Sequence, residues 1–448
     1  MGRYASYPLL CGHRSGGRNS GGSFGRFHRS RHKIFTGHTP QKRRCPSRKG
    51  YLNYKNRGNL VINGFYAYKN YAQIDLDAIA ANYKLLCADI KKKSPQATPI
   101  CVVKADAYGH GAPECVRTLL SVGADFFAVS DISEALEVRR VSPAAKILIL
   151  GYTEPSNAPI LIEKNIIQTL HSLSYAGRLE EAIQDSRERG EIDKNEKLSL
   201  HIKLDTGMNR LGFSLCADSF DNSVEEILSL SKTECFSLEG LFSHFACADM
   251  AEDEMSEEQI ELFFRAYNAL KERGLVLKTH ISNSAGALRF GSCGCDYVRL
   301  GIVLYGLSPS GEVRLSGLTP AMQLFSRVSQ VHVLKKGQSL SYGATYTAEK
   351  DMRVATISIG YADGLIRACS GGSVIIEGQK VKIIGRICMD QCIVDLGDIE
   401  VYEGDIVTVY DKSGENIESL AKAANTINYE LICLLGRRVY RKYKKNVI

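Results

Sequence analysis

The stretch Pro99-Ile-Cys-Val-Val-Lys104 decides the fold. It is apolar, rich in β-branched residues and too short for a helix, so it reads as a strand buried on both faces. Upstream, Asp75-Leu-Asp-Ala-Ile-Ala-Ala-Asn-Tyr-Lys-Leu-Leu places acids at a helix start and then repeats apolar residues at helical spacing. Downstream the alternation continues, with strands predicted at 125–130, 146–151, 166–170, 197–204, 237–245, 277–282 and 297–304. Helices are predicted between them at 111–122, 132–140, 156–163, 174–189, 222–232, 256–273 and 284–290. Eight short buried strands alternating with helices over ~235 residues require a (β/α)8 barrel. An open doubly wound sheet is the runner-up, disfavoured because no Gly-x-Gly-x-x-Gly follows the first strand.

After about residue 316 the pattern changes. Val354-Ala-Thr-Ile-Ser-Ile, Ser373-Val-Ile-Ile-Glu, Val381-Lys-Ile-Ile-Gly and Asp405-Ile-Val-Thr-Val-Tyr are short β-branched runs separated by Gly turns. They predict a mainly β domain, interrupted by one helix at about 417–425. The expected division is therefore a barrel over 71–315 and a β domain over 316–448, preceded by an extension over 1–70.

The whole chain carries 57 Lys and Arg against 49 Asp and Glu, but the excess is local. Residues 1–74 hold 15 basic and no acidic residues, leaving 42 against 49, a net of −7, for the rest. The body is thus mildly acidic, which argues against a nucleic-acid partner. Residues 1–58 are rich in Arg, Ser and Gly and predict disorder. A transit peptide, a nucleic-acid-binding arm and a non-functional extension compete for them, and the last is favoured. The 14 cysteines lack a framework spacing, and no His stands at metal-ligand distance from the close pairs Cys293/Cys295 and Cys388/Cys392. Reduced thiols in a cytoplasmic protein are expected, with no bound metal. No apolar run is long enough to span a membrane.

On a barrel, chemistry collects at the carboxyl ends of the strands. The first strand ends in Lys104. At the end of an apolar run its amine is partly desolvated, which favours the neutral form that attaches to a carbonyl. A snorkelling surface lysine is the plainer alternative. The fifth strand contributes Lys203, Asp205 and Arg210, the sixth His244, the seventh His280, Asn283 and Ser284, and the eighth Arg299, Gly301 and Ile302. Backbone amides after strands seven and eight form the phosphate site of many barrels, and the helix opening at Ser284 adds to it. A lysine, a phosphate cradle and a cationic rim are the equipment of a pyridoxal 5′-phosphate (PLP) protein.

Five motifs carry a closer likeness. Val103-Lys-Ala-Asp-Ala-Tyr-Gly-His-Gly111, Lys203-Leu-Asp-Thr-Gly-Met-Asn-Arg-Leu-Gly212, Ser341-Tyr-Gly-Ala-Thr-Tyr-Thr347, Ile359-Gly-Tyr-Ala-Asp-Gly364 and Gly385-Arg-Ile-Cys-Met-Asp390 occur in the order of the alanine racemases, and the chain resembles that family from about residue 71 onward. The resemblance implies that Lys104 holds PLP covalently and acts as one base, for the D-isomer. Tyr342 is then the opposing base, for the L-isomer. Tyr108, Ser284, Gly301, Ile302 and Tyr429 contact the phosphate, and Arg299 faces the pyridine nitrogen. Arg210 serves the cofactor oxygen and the substrate carboxylate, oriented by a carbamylated Lys203. His244 and Arg299 are the cations expected to ease deprotonation of Tyr342. Tyr342 and Met389 come from the partner in a head-to-tail homodimer, with the Met389 amide at the substrate carboxylate, and Tyr361 lines the entrance. The implied substrates are L- and D-alanine, the D-isomer feeding peptidoglycan.

A serine-preferring racemase and a non-catalytic PLP homeostasis protein are the nearest rivals. The bulk of Tyr429 beside the substrate β-carbon favours alanine over serine. The homeostasis proteins lack the β domain. One departure from the family stands near the end, where Arg438-Val-Tyr440-Arg replaces Arg-Val-Pro-Arg and is expected to alter only a local turn.

Overall fold

The computed structural model describes residues 68–445. The expected disorder of 1–58, and most of the 1–70 extension, lie outside the described residues.

Eight parallel strands form a closed barrel: Thr98–Val102, Phe126–Val129, Lys146–Ile149, Ile167–Leu170, Leu198–Asp205, Phe236–Phe242, Lys278–His280 and Tyr297–Leu300. Each pairs with the next in chain order, and Tyr297–Leu300 returns to pair with Thr98–Cys101. Closure explains the continuous apolar runs, because the interior fills one face and the helices cover the other. Phe127, Ala128 and Val129 are all fully buried, as are Ile147, Leu148 and Ile149. The barrel expected from the alternation is therefore present.

A second, eight-stranded sheet is built around the 13-residue strand Met322–Leu334. This strand pairs antiparallel with Tyr71–Asp75, Ile406–Tyr410 and Met352–Ile357. The sheet continues through Cys392–Asp395, Gln379–Ile384 and Ser373–Ile376, and its other edge is Tyr440–Lys444, parallel to Tyr71–Asp75.

Three details differ from the sequence reading. Tyr71–Asp75, assigned there to the barrel segment, is a strand of the second sheet. Only alternate residues, Ala72 and Ile74, are buried in it, the pattern of a one-sided strand and not of a barrel strand. Its last residue then starts the helix Leu76–Lys93, the Asp75 carboxylate accepting the Ala78 amide at 3.1 Å. Secondly, two helices interrupt the β domain, Glu415–Ala423 and the six-residue Asn428–Cys433. The latter is too short to show a helical period. Thirdly, Tyr440 begins a strand and does not shape a turn. Its amide donates to the Asn70 carbonyl and its ring stacks on Tyr68 at 4.2 Å, both of which a proline would forgo.

Candidate active site

Lys104 follows the first barrel strand directly. The next four residues, Ala105, Asp106, Ala107 and Tyr108, all have φ near +54°. This is a left-handed helical turn of non-glycine residues, each disfavoured by roughly 1–2 kcal/mol. The surroundings hold it. Ala105 donates its amide to Glu134 Oε1 at 2.6 Å, and Asp106 Oδ1 accepts the Ala112 amide at 2.7 Å. The ring Nδ1 of His110 lies 3.0 Å from the carbonyls of both Ala107 and Tyr108. Because both partners are acceptors, Nδ1 carries the proton. Burial holds the Lys104 amine below the usual lysine range, and the Arg210 cation adds to the effect.

At the far end of the turn the buried Tyr108 side chain packs beside Gly301. A Cβ on Gly301 would stand 2.5 Å from the Tyr108 hydroxyl and 3.5 Å from Ser284 Oγ. Gly301 donates its amide to Ser284 Oγ at 2.9 Å, and Ile302 follows it, fully buried. Ser284 opens the helix Ser284–Phe290, whose cap is Asn283. Tyr429, on the helix Asn428–Cys433, brings its ring within 6.2 Å of that of Tyr108. One serine hydroxyl, two phenol side chains and the Gly301 amide thus come together where a Cβ would clash.

Arg299 is buried, and among the described residues no carboxylate pairs with it. Its Nη1 donates to His280 Nδ1 at 2.7 Å and to the His280 carbonyl. Its Nη2 donates to the carbonyls of Ser243 and Ile281 and to His244 Nδ1. Since a guanidinium only donates, both histidines must present a bare Nδ1. His280 then carries its proton on Nε2 and donates to His201 Nδ1 at 2.9 Å. Burial draws Arg299 down to about 9, so it stays cationic at neutral pH. Burial, and after it the neighbouring Arg299, hold His244 well below the usual histidine value. His244 is therefore neutral, not the cation expected to act on Tyr342, because it is buried and its Nδ1 accepts from the Arg299 guanidinium.

Burial draws Lys203 down to about 7, with Arg299 adding to the effect, and its Nζ donates to the Leu204 carbonyl at 2.6 Å. Arg210 is exposed at the rim on a loop that Asp205 ties together, one carboxylate oxygen accepting the amides of Gly207 and Asn209 and the other that of Arg210.

Tyr342, Tyr361 and Met389 form a second group on loops of the β domain. Ser341 donates to the Arg386 carbonyl at 2.5 Å, while the amides of Tyr361 and Ala362 donate to the carbonyls of Cys388 and Met389. Arg438 braces these loops by bridging the buried Asp363 and Asp390. Among the described residues no hydrogen bond or ring contact joins this group to Lys104. Tyr342 is 67% exposed and Met389 53%. Sequence reasoning missed Glu134, His201 and the Arg438 brace. His201 alone left a signal, as a histidine inside an otherwise apolar strand.

The fold is a (β/α)8 barrel whose carboxyl-end rim gathers a desolvated lysine at one strand end and Ser284 and Gly301 at two others, the place where barrel enzymes carry their sites. Residues 74–309 match the N-terminal domain of alanine racemase and residues 321–443 its C-terminal domain. The chain is 39% identical to the alanine racemase of Clostridium novyi (strain NT) over 84% of its length and 95% of that enzyme's. It is 38% identical to that of Methanococcus maripaludis over 83% and 98%. Among solved structures, alanine racemase of Clostridium difficile 630 superposes with a TM-score of 0.76 at 35% identity, covering 85% of this chain and 97% of that one. The Bacillus anthracis alanine racemase with bound L-Ala-P gives 0.74 at 32% identity, covering 86% and 97%. The chain belongs to the alanine racemase family, PLP-dependent isomerases. The match across both domains sets aside the single-barrel homeostasis proteins.

Proposed function

We propose that the chain interconverts L- and D-alanine with PLP held at the barrel mouth, in a site completed by a second copy of the chain. The observation that carries this is the placement of a desolvated Lys104 and a glycine-opened anion cradle at opposite ends of one turn, beside a buried guanidinium. The residues fit the cofactor. Tyr108, Ser284, Gly301, Ile302 and Tyr429 would hold its phosphate, Lys104 its carbonyl carbon, and Arg299 its ring nitrogen. Bound PLP supplies an electron sink that acidifies the substrate Cα–H bond.

Inverting the centre needs a base on each face of the substrate. Lys104 holds and moves the proton on one face, and its depressed basicity makes the neutral amine easier to reach. Tyr342 of the second copy serves the other face. Arg210, with the Met389 amide of the second copy, holds the substrate carboxylate, while Tyr361 narrows the entrance. Arg299 keeps its own proton and donates a hydrogen bond to the ring nitrogen without transferring charge, which limits the sink and favours simple reprotonation over side reactions. Lys203, with a value of about 7, offers the neutral amine that carbon dioxide needs, and the resulting carbamate would add a negative charge among Lys104, Arg210 and Arg299. Twelve unpaired cysteines among the described residues suit the reducing cytoplasm, where D-alanine would enter peptidoglycan synthesis.

The test is turnover of purified, PLP-loaded protein on L- and D-alanine compared with L- and D-serine. Alanine is the faster pair in both directions, and Lys104→Ala abolishes turnover together with the visible absorbance of the attached cofactor. Turnover retained without Lys104, or serine as the faster pair, contradicts the reading.

A further inference from the structure

Glu134 lies outside every motif of the family pattern. It belongs to the helix Ile132–Val141, where its plain role would be to cap the first turn. That role is already filled. Asp131 is the N-cap, its Oδ1 accepting the amides of Ser133 and Glu134. Glu134 instead spans two strand ends: Oε2 accepts the Ser130 amide at 2.7 Å, just past the second barrel strand, and Oε1 accepts the Ala105 amide at 2.6 Å, just past the first.

Ala105 is the first residue of the left-handed turn, so this carboxylate grips the strained segment beside Lys104. The conformation matters for spacing. A helical turn of either hand separates Cα atoms four residues apart by about 6 Å, against about 13 Å for extended chain. The turn therefore sets how far the Lys104 amine stands from the Tyr108 hydroxyl, the two points between which a phosphate-bearing carbonyl compound must fit. Of its other side-chain ties, His110 holds the Ala107 and Tyr108 carbonyls at the far end and Asp106 reaches forward to the Ala112 amide, so neither holds the Ala105 amide. We propose that Glu134 is a positioning residue, which fixes the distance between the cofactor's covalent anchor and its phosphate contact by holding the Ala105 amide. The proposal rests on the PLP reading given above.

The test compares full-length wild type, Glu134→Ala, Glu134→Gln and Asp131→Ala. Two quantities are read: amide hydrogen exchange over 104–111 in the cofactor-free protein, and PLP affinity by absorbance titration. Glu134→Ala speeds exchange in that segment, and weakens PLP binding, by about tenfold to a hundredfold, the range for loss of a charged acceptor. Exchange elsewhere in the barrel is unchanged. Glu134→Gln, which keeps one acceptor oxygen and its shape, falls between Ala and wild type, and carries the test if the alanine variant does not fold. Asp131→Ala lowers the unfolding midpoint through the lost cap and leaves both readouts at wild type. The proposal is overturned if the Glu134 variants keep wild-type exchange and affinity, if exchange rises uniformly across the barrel, or if Asp131→Ala matches them. If the wild type binds no PLP, the functional reading fails, while exchange in the cofactor-free protein still decides the role of Glu134.

Discussion

At the residue scale the buried Arg299 and the histidines around it form a cluster in which, among the described residues, no carboxylate pairs with the guanidinium. The guanidinium orders the protons: Arg299 can only donate, so His280 and His244 accept, and His280 donates onward to His201. Burial draws His201 down to about 3 and His110 to about 4, from 6.5. Both are neutral when folded and protonated when unfolded over the interval between those values. The unfolded chain then binds more protons, so stability is full above about pH 6.5 and is lost as pH falls toward 4. The slope is ~1.4 kcal/mol per pH unit for each histidine. Urea midpoints of the cofactor-free protein should fall between pH 7 and pH 5, and His201→Gln should reduce the fall; equal midpoints would count against the buried neutral histidines. Gly301 gives a second residue-scale prediction. A methyl group there meets the Tyr108 hydroxyl at 2.5 Å, so Gly301→Ala should weaken PLP binding about tenfold or more. Affinity equal to wild type by absorbance titration would remove the cradle from that position. The residue types at the strand ends were legible because each strand run stops at a polar residue. The protonation of His244 was not, since a sequence shows neither its burial nor the Arg299 guanidinium against its Nδ1.

At the element scale the barrel strands could be read from continuous apolar runs, and most boundaries fall within a residue or two. Elements that obey no period were missed. The left-handed turn after Lys104 has no signal in Ala-Asp-Ala-Tyr, because these residues disfavour it and only tertiary hydrogen bonds hold it. The helix Asn428–Cys433 is likewise too short, although it carries Tyr429 to the site. One buried side chain ties the segment that leads from barrel to sheet. Asn82 Nδ2 donates to the carbonyls of Leu304 and Thr319, and its Oδ1 accepts the Thr319 amide. Asn82→Ala leaves three backbone groups unpaired, and should destabilise the protein by about 2–4 kcal/mol in denaturant unfolding. A change below ~0.5 kcal/mol would show that water replaces the side chain freely.

At the scale of the whole molecule, the proposed site residues fall in two groups of one chain that no hydrogen bond or ring contact joins among the described residues. Lys104, the cradle and Arg299 line the barrel mouth, while Tyr342, Tyr361 and Met389 stand exposed on braced loops of the β domain. Exposed apolar and aromatic groups on ordered loops are what a partner surface covers. Two copies related by a two-fold axis would each lend the second group to the other's barrel. The direct test mixes two inactive variants, Lys104→Ala and Tyr342→Phe, unfolded together and refolded with PLP. Random pairing makes half the dimers hybrid, each with one site that has both residues intact, so activity should return to about a quarter of wild type. If the mixture stays as inactive as its parents while wild type refolds to full activity, Lys104 and Tyr342 do not act from two chains in one site.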